Sequence, residues 1–200
     1  PFSRGRIFNT VEKDEGQYND ACRIFWASGT AFLTRKNIFE QIGGFDETLF
    51  AHMEEIDYHW KCQLLGFEVW AEPKSVVYHH GAITLPTSSL LKTYLNHRNS
   101  MLLLLSNYNT FNSIKFFILR LIMELISTLK DLVTLKPAHA FAQIRAFFWI
   151  LFHPSVISNK RTQIKKIRKI TDEQLLNNII FNKSIVYQYF VKNKKYYSKL

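Results

Sequence analysis

Cysteine is scarce: Cys22 and Cys62 stand alone and no C-x-x-C is present, which argues against a disulfide framework and fits a reducing compartment. No D-x-D pair occurs anywhere, and no glycine-rich phosphate loop follows a strand-like run. No charge-free apolar run approaches the roughly eighteen residues that a helix needs to cross a bilayer. Acidic residues thin out sharply in the second half. Residues 1–90 hold 8 Lys/Arg against 12 Asp/Glu, a net of −4, whereas residues 91–200 hold 18 against 4, a net of +14. The whole basic excess therefore lies after residue 90 and points to an anionic partner, membrane or nucleic acid.

What is there suffices for a folded core. The chain has 200 residues and is 47% apolar, which suits one domain or slightly more and excludes general disorder. Residues 1–20 read as a polar loop. Residues 23–34 are strand-like and apolar enough to be largely buried. Residues 35–42 suit a short helix, ended by the turn Gly43-Gly44-Phe45-Asp46-Glu47. Glu54-Glu55-Ile56-Asp57 then opens a helical pattern with Ile56, Trp60, Leu64 and Leu65 at helical spacing, stopped at Gly66. Strands are expected near 67–71 and over 75–78, the second ending on His79-His80.

Three carboxylates in four residues repel one another unless a cation or substrate lies nearby. On a helix Glu54 and Asp57 share a face and Glu55 points elsewhere. The plain alternative is an acidic first turn favoured by the helix dipole.

Taken in order, S-G-T, G-G-F-D-E, M-E-E-I-D-x-x-W-K and V-V-Y-H-H over residues 26–99 resemble the second half of the catalytic domain of glycosyltransferase family 2, inverting enzymes of the GT-A fold and of the rhamnosyltransferase-like kind. The resemblance implies an α/β fold, the C-terminal, acceptor-side part of a GT-A domain, followed by an α-helical, basic, membrane-proximal region. The family's E-D-x-D signature is matched by Glu54, Glu55 and Asp57, which puts Glu55 in the place of the catalytic base, a Glu where Asp is common. Glu54 falls with the acceptor site, and Asp57 either organises the helix start or binds acceptor. Trp26 and Gly29 match the acceptor-side strand entry, although a core tryptophan is an equal reading. Asp46 bonds its own turn or an acceptor hydroxyl. Lys61 and Arg98 are candidates to neutralise the diphosphate, with a surface cation as the alternative for each. His79 matches a ligand of the divalent metal, Mg or Mn, that holds the diphosphate, and His80 ranks behind it. The implied partners are a nucleotide diphosphate sugar and a glycan or lipid-linked acceptor in cell-surface polysaccharide synthesis. Because D-x-D is lacking, the expected layout is an acceptor-side half over 1–90 with the donor-binding half outside this chain, a helical region over 91–158 and a basic-aromatic tail over 159–200.

The second half reads as helices over 90–106, 111–135 and 138–152. On a helical wheel Asn112, Ser113, Arg120, Glu124, Ser127, Thr128, Lys130, Asp131 and Thr134 occupy about half the circumference, with Lys115 outside that arc. Lys160, Arg161, Lys165, Lys166, Arg168 and Lys169 follow, each able to contribute on the order of 1 kcal/mol at an anionic leaflet. Attachment to the inner face of the cytoplasmic membrane is the expectation, against a soluble helical hairpin with solvated cations. The tail over 181–200 either folds back or lies on lipid. Nucleic acid is the weaker reading of the basic half, since no reading motif accompanies it. A metal hydrolase built on His52, Glu55 and His59 lacks the H-E-x-x-H spacing.

Overall fold

The structure, a computed structural model, describes residues 6–7, 10–78, 89–181 and 183–199. Strands are short: β1 (Arg6–Ile7) pairs antiparallel with β2 (Thr10–Val11), and β3 (Cys22–Ile24) pairs antiparallel with β4 (Val69–Ala71), Arg23 opposite Trp70. Between them lie α1 (Lys36–Ile42), a single 3-10 turn (Glu47–Leu49) and α2 (Glu54–Leu64). Among the described residues five α-helices follow, α3 (Leu90–Asn107), α4 (Thr110–Val133), α5 (Pro137–Phe152), α6 (Pro154–Ile167) and α7 (Asp172–Asn178), and then a π-helical turn (Tyr187–Val191) and a 3-10 turn (Tyr197–Lys199).

Helices dominate the described residues, and among these the strands form two antiparallel pairs within the first part. Two expected strands differ. Residues 23–34 pair only as far as Ile24, and from Ser28 to Ala31 the chain turns in the open, with the Thr30 backbone N–H donating to Ser28 Oγ. Residues 75–78 form no strand: Val76, Val77 and Tyr78 are 63%, 57% and 95% exposed. A strand exists through its ladder, and among the described residues none lies beside this run.

Helix ends follow local chemistry. Gly43 (φ 87) and Gly44 (φ 74) take the left-handed conformation that closes α1, and both amides return to the Phe39 carbonyl. Ser89, Asn109 and Thr171 cap α3, α4 and α7 through their side chains.

The central element is α3. It buries Tyr94, Leu95, Met101, Leu102 and Leu103 against α4, α5 and α6, and its N-terminal half reaches the loop that leads into α2. Ala142 and Ala146 of α5 are 6% and 0% exposed, small side chains at the helix contact. The basic run 160–169 is half internal. Lys160 bonds Asp46, Arg161 donates to the Leu105 and Tyr108 carbonyls and to Ser113, and Arg168 bonds Asp172 and the Asn107 carbonyl. Lys165, Lys166 and Lys169 remain exposed. Of the six cations expected at an anionic leaflet, three are thus engaged inside the protein: carbonyls left open at the end of α3 and buried carboxylates require donors, and these residues supply them. The tail folds back onto the first residues, where Tyr189 bonds Thr10 and Ser198 bonds Glu12.

Candidate active site

The approach to α2 is strained. Phe50, His52 and Met53 have φ of 62, 64 and 72°, left-handed values in residues other than glycine. Each costs of order 1 kcal/mol or more, and such backbone persists only where its surroundings impose it. Here α3 imposes it. Asn99 Nδ2 donates to the carbonyls of Leu49, Ala51 and His52 at 3.0, 3.0 and 2.7 Å. Arg98 donates to the Thr48 and Leu49 carbonyls at 2.8 and 3.1 Å, and through Nε to Asn99 Oδ1 at 2.9 Å. Its guanidinium lies 4.9 Å from the centre of the Trp149 ring and 5.4 Å from that of Tyr94.

That clamp delivers Glu54 and Glu55 at the first turn of α2. Gly29 comes up against Glu55: a Cβ at Gly29 would lie 3.6 Å from the Glu55 Cβ and 3.7 Å from its Cδ. Burial pushes the Glu55 carboxyl above its ordinary 4.5 and the charge of Glu54 adds to the rise, against backbone N–H groups of Glu55, Gly29 and Ile56. Glu55 Oε2, Glu54 Oε2 and His52 Nε2 are buried with no hydrogen-bond partner among the described residues. Burial, then Lys92, holds the His52 imidazole below its ordinary value, so it leans to the neutral form. Trp26, just upstream, is 41% exposed, and its neighbour Phe25 packs edge-on to Trp60 at 5.4 Å. The core role falls to Phe25 and leaves the Trp26 indole accessible.

The remaining candidates are committed inside the protein. Asp57 is 3% exposed, pairs with Lys61 at 2.5 Å and accepts from Asn107 Nδ2 at 3.0 Å. Asp46 accepts from the Thr48 backbone N–H and hydroxyl at 3.0 and 2.7 Å, bonds Lys160 and lies 3.9 Å from Lys61. Two lysines and two aspartates thus close one buried network across α2, the Gly43-Gly44 turn and α6. Asp57 organises the helix and Asp46 its own turn, so of the paired readings given to each, the internal one matches the geometry. Lys61 and Arg98 do not present free cationic heads, because a buried cation must be paired and here each is. Arg98 is a positioning residue for the strained loop. His59 Nδ1 lies 2.7 Å from the Glu55 carbonyl and its ring packs on Phe32 and Tyr58, which removes it from any site with His52.

His79 and His80 lie outside the described residues. Among the described residues no three His, Cys, Asp or Glu side chains come together to hold a metal ion, so they do not by themselves fit the expected divalent cation. The internal roles of Asn99 and Lys160 escaped the reading of the sequence. Asn99 had a signal: it shares a helix face with Leu95 and Leu102, where a polar side chain must find partners. Lys160 had none, since its partner lies 114 residues away.

The chain is 29% identical over 109 residues to the N-acetylglucosaminyl-diphospho-decaprenol L-rhamnosyltransferase of Mycobacterium tuberculosis, equally in strains CDC 1551 / Oshkosh and ATCC 25618 / H37Rv. It is related to a glycosyltransferase. The match takes in 54% of this chain and 36% of the relative, so the chain spans about a third of the length of the curated relatives it matches. No protein-family model matches, and no solved structure matches.

Proposed function

We propose that this chain carries the acceptor side of an inverting glycosyltransferase, with Glu55 as the general base. The observation that carries the reading is the Glu55 carboxyl itself: half-buried, raised, one oxygen unpartnered, and set at the start of α2 by a strained loop. A carboxylate with a raised pKa is a better proton acceptor than an ordinary surface Glu. It takes the proton of an acceptor hydroxyl as that oxygen attacks the anomeric carbon. The new C–O bond forms on the face opposite the departing nucleoside diphosphate, which leaves with the electron pair of the broken bond. The exposed Trp26 indole suits stacking on a sugar face, and Gly29 keeps the approach to Glu55 open. Glu54, with its second oxygen unpartnered, is the acceptor-binding carboxylate of this reading.

The partly similar relative is named for a lipid-diphosphate-linked sugar acceptor, and a nucleotide diphosphate sugar with a lipid-linked acceptor is the pairing proposed here. Metal dependence belongs to the same proposal, with His79 the ligand this chain would supply. In the intact enzyme, Glu55→Gln is expected to lower transfer at least a hundred-fold while nucleotide-sugar affinity, measured by calorimetry, stays within a factor of two or so. Equal loss of both would overturn the assignment.

A further inference from the structure

Helix α4 is inside out. Its polar residues face the protein: Ser113, Glu124 and Asp131 are buried, and Ser127 and Thr128 are half-buried. Most are paired there, His97 and Arg120 with Glu124 at 2.5 Å each, and Gln143 of α5 with both Thr128 and Asp131 at 3.0 and 2.6 Å. The opposite face is apolar and exposed. Ile118, Ile122, Leu125 and Leu129, at helical spacing, are 55%, 49%, 61% and 51% exposed. On α5 the outward stripe is again apolar, Phe141, Ile144, Phe148 and Phe152, at 68%, 41%, 46% and 71%. A helix surrounded by water turns its apolar face to the core and a polar one outward. Helix α4 reverses this and α5 is apolar on both its inner and its outer face, and an exposed apolar area of this extent marks an interaction surface.

We propose that the outward faces of α4 and α5 dock on the surface of an anionic lipid leaflet, α4 lying along the interface and not across it. No single helix among the described residues is long and apolar enough to cross a membrane. The charge pattern selects the occupant. The carboxylates of α4, Glu124 and Asp131, are turned inward, α5 has none, and the exposed charges on or beside these faces are the cations Lys115, Lys130, Lys136 and Arg145. Lys115, alone within the α4 stripe, can extend its stem over apolar surface and place its ammonium at the headgroups. A face with cations and no acids complements anionic lipid. It opposes its own copy, since a two-fold contact would bring like charges together. The proposal stands apart from the transfer chemistry, since no residue of these faces enters the Glu55 site.

The test is co-sedimentation of the full-length protein with phosphatidylglycerol–phosphatidylcholine vesicles. Binding is expected, with at least a tenfold loss in Ile118→Glu/Leu125→Glu, two outward positions whose change leaves the internal contacts alone. Circular dichroism checks that this variant folds. Independent of it, Leu125→Trp is expected to give blue-shifted emission on vesicles and quenching by brominated acyl chains. Absent vesicle binding, or binding that the double substitution leaves unchanged with the introduced indole unquenched, overturns the proposal. A dimer in light scattering that the double substitution splits, without vesicle binding, also overturns it and assigns the face to a second copy. Glu55→Gln is expected to leave vesicle binding unchanged, so failure here and failure of the transfer reading are told apart.

Discussion

Glu55 and Asp46 are buried to similar degrees and shifted in opposite directions, because one lacks cations and the other is surrounded by them. For Glu55, burial and Glu54 raise the carboxyl above its ordinary 4.5. A folded-state value above the unfolded one gives stability that is complete at low pH and lost as pH rises through the folded value. Glu55→Gln is expected to raise the thermal midpoint near neutrality, with the gain fading as pH falls into the ordinary carboxylate range; a lower midpoint at pH 7 would make this carboxylate structural. By the same shift, the acidic limb of the pH–rate profile should fall above 4.5. For Asp46, burial alone would raise the carboxyl, but Lys160, Thr48 and Lys61 hold it below its ordinary 3.8. Lys160→Met removes one partner of a buried pair and should cost about 3 kcal/mol in urea unfolding, with Asp46→Asn in the same chain recovering much of it.

Elements meet here through side chains that serve backbone. Beyond the 3-10 turn, the chain over 50–53 has no ladder or helix of its own, and Arg98 and Asn99 of α3 bond the carbonyls of Thr48, Leu49, Ala51 and His52. Asn99→Ala leaves three carbonyls without that donor and releases three left-handed residues. The expected cost is about 2 kcal/mol of stability. A larger proportional fall in transfer is expected in the intact enzyme, since the loop sets the first turn of α2. Kinetics alongside unfolding separates the two: a loss of stability with kcat untouched would leave the clamp purely structural. Arg161 does for the end of α3 what Asn99 does for the loop, closing the carbonyls that the last turn leaves open.

Across the whole molecule, the acidic first part and the basic second part are joined and not merely adjacent. Lys160 of α6 reaches Asp46 in the turn before α2, and the Lys169 and Ile170 amides close the Leu64 carbonyl at the end of α2. Both Asp46 and Glu124 are held below their ordinary values by cationic or imidazole partners that outweigh burial. A folded value below the unfolded one gives stability that is complete above the ordinary carboxylate range and lost as pH falls through the folded value. Urea midpoints should thus hold steady down to about pH 5 and fall below it. Lys160→Met should flatten that drop.

Periodicity and capping chemistry read from the chain located α1, α2, α3, α4 and α5 to within a residue or two, because helix formation is local and the 3.6-residue pattern survives in one dimension. The clustered acids of α2 were legible for the same reason, and so was the partial likeness to a glycosyltransferase. Strands were legible only in part: the run near 67–71 forms β4, but Val76 and Val77 have strand-type side chains without forming one, because a strand needs a neighbour and the chain does not state which segment lies beside which. Nor did the amphipathic pattern of α4 say which face turns inward. Polar against apolar is set along the chain, but the choice between water and protein for each face is made by Gln143, His97 and Arg120, which arrive from elsewhere or from a neighbouring turn. Tertiary structure alone turned Lys61, Arg98 and Lys160 from free cations into internal pins, since only in three dimensions do buried carboxylates and open carbonyls lie within their reach.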